Sequence, residues 1–193
     1  MIPVAGRQTA GLLASLKRSW NEEHASQIVE FALSLPVLVL FVVGVFDFSG
    51  ALTLKEKLTN AAREGARVAA SDPASDMYAP IPVSVSDAVQ VVDNYLVSEK
   101  INDCGLGPTP PAPTPTTPLI WTYTSTGSCP GSGISVAISR GCSNLENGVN
   151  LIGTCVTITY PYKWQFNSVS GLFGSSFLGP TTIATSAEAF NEN

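Results

Sequence analysis

The sequence predicts an α+β fold in which one long N-terminal helix packs on a small antiparallel sheet. Two observations predict it. An apolar and then helically spaced pattern runs from residue 28 to a proline at 73, and alternating strand patterns occur only after residue 118. Helices first and strands later, joined by short turns, are typical of α+β domains. The length of 193 residues fits one such domain with accessory segments.

The helix begins with an apolar stretch. Residues 31–46, FALSLPVLVLFVVGVF, carry no charge and are bounded by Glu30 and Asp47. A buried helix is the alternative, but a helix that is apolar all round suits lipid better than a domain surface. With its apolar flanks the stretch covers residues 26–53, which is long enough for a transmembrane helix. Pro36 predicts a kink within the span, or is simply tolerated there, as prolines often are in membrane helices.

The segment before the span differs from an ordinary secretory signal, because residues 1–25 are mostly polar. We expect a cytoplasmic leader there and an extracytoplasmic domain at residues 54–193. Lys and Arg occur on both sides of the span, so the positive-inside rule does not decide the orientation. The orientation therefore depends on the cysteines.

All the cysteines follow the span: Cys104, Cys129, Cys142 and Cys155. An even number confined to that side predicts disulfides outside the cytoplasm. Of the three possible connectivities, closure between nearest neighbours favours Cys104–Cys129 and Cys142–Cys155. A zinc site is disfavoured, because no two cysteines are close in sequence and the single histidine, His24, precedes the span. We expect neither a metal nor a cofactor.

The charge pattern argues against several function classes. Charged residues make up only 13% of the chain, and no basic stripe interleaved with aromatic residues occurs, so nucleic acid is not an expected partner. No histidine follows the span that could activate a cysteine or serine nucleophile, and the aspartates stand singly. We therefore expect no enzyme and no small-molecule substrate.

Beyond the span, the helical pattern continues to Ser71, with a stripe of small residues that permits close packing. A second helix is expected to begin near Ser86 or Asp87, either of which could cap it. Its apolar face is Ala88, Val91, Val92, Tyr95 and Leu96. Repeated prolines predict a loop at residues 105–118. Four strands are expected at residues 119–124, 134–138, 154–162 and 181–190, where β-favouring residues alternate.

An apolar cluster occurs in the connection at residues 171–179. Its large side chains are Leu172, Phe173, Phe177 and Leu178. They either cover the core or form a contact with another subunit or with the bilayer surface, because exposed apolar clusters tend to mark interfaces.

Residues 26–70, SQIVEFALSLPVLVLFVVGVFDFSGALTLKEKLTNAAREGARVAA, resemble the N-terminal signature of TadE-like proteins. A glutamate precedes Phe-Ala-Leu, a Leu-Pro pair lies within the span, Asp-Phe closes it, and Ala-Ala-Arg-Glu-Gly-Ala-Arg follows. The resemblance implies a pilin-like scaffold. It also implies cleavage by a prepilin peptidase between Ala25 and Ser26, where the family usually has glycine before the cut and this chain has Ala25.

Cleavage there makes Glu30 the fifth residue of the mature chain, as the family pattern requires. A carboxylate at the edge of hydrocarbon needs a cation or an interfacial position. The resemblance implies that its partner is the new α-amine of Ser26 on a neighbouring subunit, which fixes the register between helices. The alternative is an interfacial glutamate that only marks the helix end.

The function implied is that of a minor pilin or pseudopilin in the assembly of a tight-adherence, Flp-type pilus. The expected location is the inner membrane of a bacterium, with a single pass and an extracytoplasmic C-terminal domain, and from there the pilus or cell surface. The expected partners are membrane lipid, other pilin-like subunits, the pilus assembly platform and the prepilin peptidase. The alternative function is a membrane-tethered adhesin or binding domain that is not incorporated into a pilus.

Overall fold

A computed structural model describes residues 23–107, 110, 112–127, 129, 131, 133–146, 149–165 and 181–191. The predicted α+β fold is confirmed. The elements, in chain order, are helix α1 (Glu23–Ser71), a 3-10 helix (Ala74–Tyr78), helix α2 (Val83–Ser98) and strands β1 (Thr114–Thr117), β2 (Ile120–Ser125), β3 (Ile134–Glu146), β4 (Val149–Pro161) and β5 (Thr182–Phe190). The chain divides into two compact units, Met1–Phe46 and Asp47–Asn193.

In the first unit, α1 presents apolar side chains on all sides. Phe31, Leu38, Phe41 and Phe46 are each at least 64% exposed. The most apolar part of the helix has a mean hydropathy of 2.6, and none of it is buried. The Ser34 hydroxyl donates to the Glu30 carbonyl at 2.8 Å, so its polar group is satisfied within the helix. By length and composition, this helix could cross a membrane.

In the second unit, five strands form an antiparallel sheet in the order β1-β2-β3-β4-β5. The four predicted strands are confirmed. The alternation in β3 and β4 turns one face of each strand to the core, with Ile138 paired to Val156 and Val136 to Ile158. The loop prediction for residues 105–118 is wrong in part, because Thr114–Thr117 pairs with β2 at the sheet edge. An edge strand tolerates proline, since one side of it donates no ladder hydrogen bonds.

The later part of α1 packs on α2 and the sheet through small residues. Ala61, Ala62, Gly65, Ala66 and Ala69 are all buried, as the helical spacing predicts. A Cβ atom at Gly65 would lie 2.8 Å from Val92 Cγ2 and 3.3 Å from the Ala88 carbonyl oxygen. A side chain at position 65 would therefore require Val92 and the Ala88 backbone to shift.

Helix α2 begins earlier than predicted. Its first residue is Val83, after Pro82, and neither Ser86 nor Asp87 caps it. Asp76 accepts the Ser84 N–H at 2.8 Å and so satisfies a first-turn donor from outside the helix. The face predicted to be buried is also rotated. Ala88, Val92 and Leu96 are buried with Val85 and Val89, whereas Val91 and Tyr95 are partly exposed.

The close approach at Gly65 leads to a prediction. We expect Gly65→Ala to destabilise the domain, because overpacking costs about 1–3 kcal/mol and outweighs the gain of up to about 1 kcal/mol that alanine brings to a helix. Val92 is fully buried and Ala88 offers a backbone atom, so neither moves aside easily.

Gly50 in the same helix is the matched control. A Cβ atom there would make only an ordinary contact, 3.5 Å from the Tyr162 hydroxyl. We expect Gly50→Ala to stabilise the protein by up to about 1 kcal/mol. Denaturant unfolding of both full-length variants in detergent measures the two effects. If both substitutions stabilise, the contact at Gly65 is looser than the structure shows.

Candidate functional site

The folded unit begins at Asp47, the residue at which the apolar part of α1 ends. Asp47 is only 6% exposed. The Tyr162 hydroxyl, just after β4, donates to Asp47 Oδ1 at 2.9 Å and lies 3.1 Å from the Asp47 carbonyl oxygen. The Trp164 ring meets the Tyr162 ring edge-on, with centroids 4.9 Å apart. These contacts hold the start of residues 47–71, the domain half of α1, against the end of β4.

The Tyr162 hydroxyl keeps its proton under physiological conditions. Burial, the hydrogen bond to Asp47 and the charge of Asp47 together raise the pKa of Tyr162 to about 12. The hydroxyl therefore keeps its proton at neutral pH and remains a hydrogen-bond donor to Asp47.

The C-terminal end of α1 is held by Arg140 of β3, which is only 1% exposed. Its guanidinium donates to the Asp72 carbonyl at 3.0 Å and to Thr154 Oγ1 at 3.3 Å. Asp72 directly follows the last residue of α1, where helix carbonyls lack intrahelical partners and the helix dipole favours a cation. Arg140 therefore caps the helix from the sheet, and the domain half of α1 is fastened at both ends.

Sequence analysis missed Arg140, although the sequence held a signal. Arg140 continues the alternation of Ile134, Val136 and Ile138, which places it on the inward face of the strand. An arginine at such a position is almost never buried without partners. What the sequence could not reveal is that the partner is the end of α1.

Two disulfides tie the loops and strands of the domain. Cys104 pairs with Cys129, with Cα atoms 5.1 Å apart, and joins the segment after α2 to the connection between β2 and β3. Cys142 pairs with Cys155, with Cα atoms 6.0 Å apart, beside a bulge in the β3–β4 ladder. The structure thus has the nearest-neighbour connectivity that the sequence favours.

Residues 25–67 match the family model described as TadE-like protein. The resemblance predicted from the motifs is thereby confirmed over this segment. Comparisons with curated proteins and with solved structures found no match. The match covers less than half of the chain and suggests a protein associated with a Tad pilus, whose N-terminal helix could span a membrane by length and composition.

The TadE-like segment, residues 25–67, lies entirely within α1. Ala25 and Ser26 are in its first turns, Glu30 is exposed, and the helix continues through Pro36. The segment also includes Asp47, so the motif residue that closes the apolar stretch is the one that Tyr162 contacts. The structure therefore gives this aspartate a physical role. The predicted contact residues Leu172, Phe173, Phe177 and Leu178 lie outside the described residues.

One group of side chains has the spacing of a metal site. Cys142, Cys155 and Glu188 offer ligand atoms within 4.8 Å of one another. Both sulfurs are consumed in a disulfide, however, and it is the thiolate that binds a metal. In the oxidised domain this group offers only one carboxylate.

A pair of carboxyl groups lies between α2 and the following loop. Asp93 is 4% exposed, and burial, followed by the charge and hydrogen bond of Asp103, raises the pKa of Asp93, while a hydrogen bond from the Gly107 backbone acts in the other direction. Asp103 accepts the N–H groups of Gly105 at 3.2 Å and Gly107 at 3.1 Å. Asp93 therefore favours its protonated form more in the folded protein than in the unfolded chain.

This pair predicts a pH dependence. Because the folded state binds the Asp93 proton more tightly, stability falls as the pH rises from the unperturbed value of 3.8 through the folded pKa. We expect Asp93→Asn to remove that fall, so the variant is more stable than the wild type at neutral pH and loses its advantage in acid. Thermal unfolding across this range measures it. The exposed Asp87 on the same helix, changed to Asn, is the control, and an equal advantage at every pH would contradict the expectation.

Proposed function

We propose that this protein is a minor pilin or pseudopilin, anchored in the inner membrane, that acts in the assembly of a tight-adherence, Flp-type pilus. The observation that carries the proposal is the dual character of α1. One helix, matched to the TadE-like family over residues 25–67, is apolar and exposed in its first part and fastened into a folded domain in its second. It acts by assembly and not by catalysis.

We place the membrane span at residues 28–46. At 1.5 Å per residue this stretch is about 28 Å long, close to the thickness of the hydrocarbon core. The longer span expected from the sequence, which ends at residue 53, is less favourable, because Asp47 and Ala51 are buried in the domain and cannot face lipid. The two disulfides support an extracytoplasmic location for the domain.

Assembly begins, in this proposal, with removal of residues 1–25 by the prepilin peptidase. The cut between Ala25 and Ser26 creates a new α-amine four residues before Glu30. Glu30 is exposed along the helix, so it is accessible to the amine of a neighbouring pilin-like subunit. In a medium of low dielectric constant, that charge pair sets the register between two helices.

The domain half of α1 then has a mechanical role. Tyr162 and Arg140 fasten it to the sheet at both ends, and small residues pack it on α2. The domain half of α1, the sheet and α2 are therefore expected to move together. This suits a subunit that the assembly platform moves out of the inner membrane by acting on its helix.

The experiment is an intact-mass measurement of the membrane-extracted protein from cells with and without the prepilin peptidase. We expect a chain that starts at Ser26 only when the peptidase is present. Ala25→Gly, which restores the usual family residue, is expected to be cleaved at least as efficiently. A chain that retains residues 1–25 in peptidase-positive cells would overturn the pilin role and favour a tethered adhesin or binding domain.

A further inference from the structure

The segment Tyr162-Lys163-Trp164 follows β4 directly and contacts Asp47, the residue at which the apolar part of α1 ends. The Tyr162 hydroxyl contacts Asp47, and Asp47 comes immediately after Phe46 in the chain. Trp164 touches Tyr162 through its ring edge, and Lys163 is exposed. An aromatic pair and an exposed cation therefore lie beside Asp47, which is the next residue in the chain after the span proposed above.

These three residue types are those that a membrane interface favours. Tyrosine and tryptophan have an apolar body and a polar tip, and they are enriched at the level of the lipid headgroups. Lysine extends its apolar stem along such a surface and keeps its ammonium group near the phosphates. Asp47 accepts a hydrogen bond from Tyr162 and is only 6% exposed, so its own charge is largely shielded from the phosphates.

We propose that Tyr162-Lys163-Trp164 rests in the phospholipid headgroup layer and is a second membrane contact of this protein. The inference rests on the span at residues 28–46 in the proposed function, because that span fixes the level of the bilayer surface. The partner is the phospholipid surface itself, with phosphate groups for Lys163 and the boundary of the acyl chains for the rings. The contact holds the domain on the membrane before assembly.

The test uses tryptophan fluorescence of the full-length protein in phospholipid vesicles. The chain has three tryptophans, Trp20, Trp121 and Trp164. Trp20→Phe is introduced into both proteins under comparison, and one of them also carries Trp164→Phe. Trp121 is 6% exposed and donates to the Pro80 carbonyl at 3.0 Å, so it serves as an internal reporter of the folded state.

The vesicles contain either plain lipids, lipids brominated near the headgroup end of the acyl chain, or lipids brominated near its methyl end. We expect bromine near the headgroup end to quench most of the emission that depends on Trp164, and bromine near the methyl end to quench much less of it. The reason is that an interfacial indole lies near the headgroups. Emission from Trp121 stays unchanged with either label. The Trp164→Phe protein is expected to show little quenching at all.

The outcomes separate the inference from the proposed function. A protein that fails to float with the vesicles overturns the span, and with it the proposed function. A protein that floats but shows equal Trp164 emission in plain and brominated vesicles overturns the headgroup contact alone. If that emission instead depends on the protein-to-lipid ratio, a second copy of the chain covers Trp164, and the lipid contact is likewise overturned.

Discussion

Replacing Glu30 with glutamine is expected to abolish pilus assembly while the protein remains in the membrane at its normal level. The substitution keeps the size and the polarity of the side chain, removes its charge and replaces one acceptor oxygen with an NH2 donor. If Glu30 pairs with the amine of Ser26 on a neighbour, the substitution leaves that ammonium group without an opposite charge at the edge of hydrocarbon. Insertion does not suffer, since a neutral residue enters the membrane more easily than a charged one.

The measurement is piliation and surface adhesion, compared with the amount of protein in the membrane fraction. Glu56→Gln is the matched control, because Glu56 is an exposed glutamate on the same helix, within the folded unit. We expect that variant to assemble normally. Normal pili in the Glu30→Gln strain, at normal protein level, would show that the glutamate only marks the end of the helix.

Replacing both Cys104 and Cys129 with alanine is expected to lower the free energy of unfolding of the domain by about 3 kcal/mol in the chain-entropy model. The disulfide closes a loop between residues 25 positions apart, so its removal gives the unfolded chain more freedom. Cys104 also belongs to the buried core, and its replacement removes packing as well.

The second disulfide provides the comparison. Cys142 and Cys155 are only 13 positions apart and already lie on paired strands, so replacing both is expected to cost somewhat less. Denaturant unfolding of both variants and of the wild type measures the difference, and non-reducing peptide mapping of the wild type checks the connectivity. Free thiols in the purified wild-type protein would refute the prediction.

The sequence by itself determined the elements that depend on local pattern. The apolar run predicted the exposed helix, the small residues near Gly65 predicted its packing face, and alternation predicted β2 to β5. These succeeded because the period of apolar residues directly reflects which face of an element is buried. The motif at residues 26–70 predicted the family in the same local way, and a family model matches residues 25–67.

Local reasoning failed where a distant residue decided the outcome. Helix α2 begins at Val83 because the oxygen that satisfies its first turn comes from Asp76, eight positions before Ser84. The sequence had suggested Ser86 or Asp87 as the cap, and both lie inside the helix. Strand β1 forms in a proline-rich segment because the edge of an existing sheet accepts it. Neither outcome is encoded in the residues of the element alone.

Only the tertiary structure decided how the domain half of α1 is joined to the sheet. Asp47 and Tyr162 are 115 positions apart, and Arg140 reaches the end of α1 across 68 positions. Hydrogen bonds at such separations depend on the full course of the chain, and no local periodicity reports them. The sequence therefore predicted a helix, a sheet and a family, whereas the contacts that fasten the helix to the sheet are visible only in three dimensions. The physical reason is that Asp47 and Arg140 can be buried only where the fold supplies their hydrogen-bond partners.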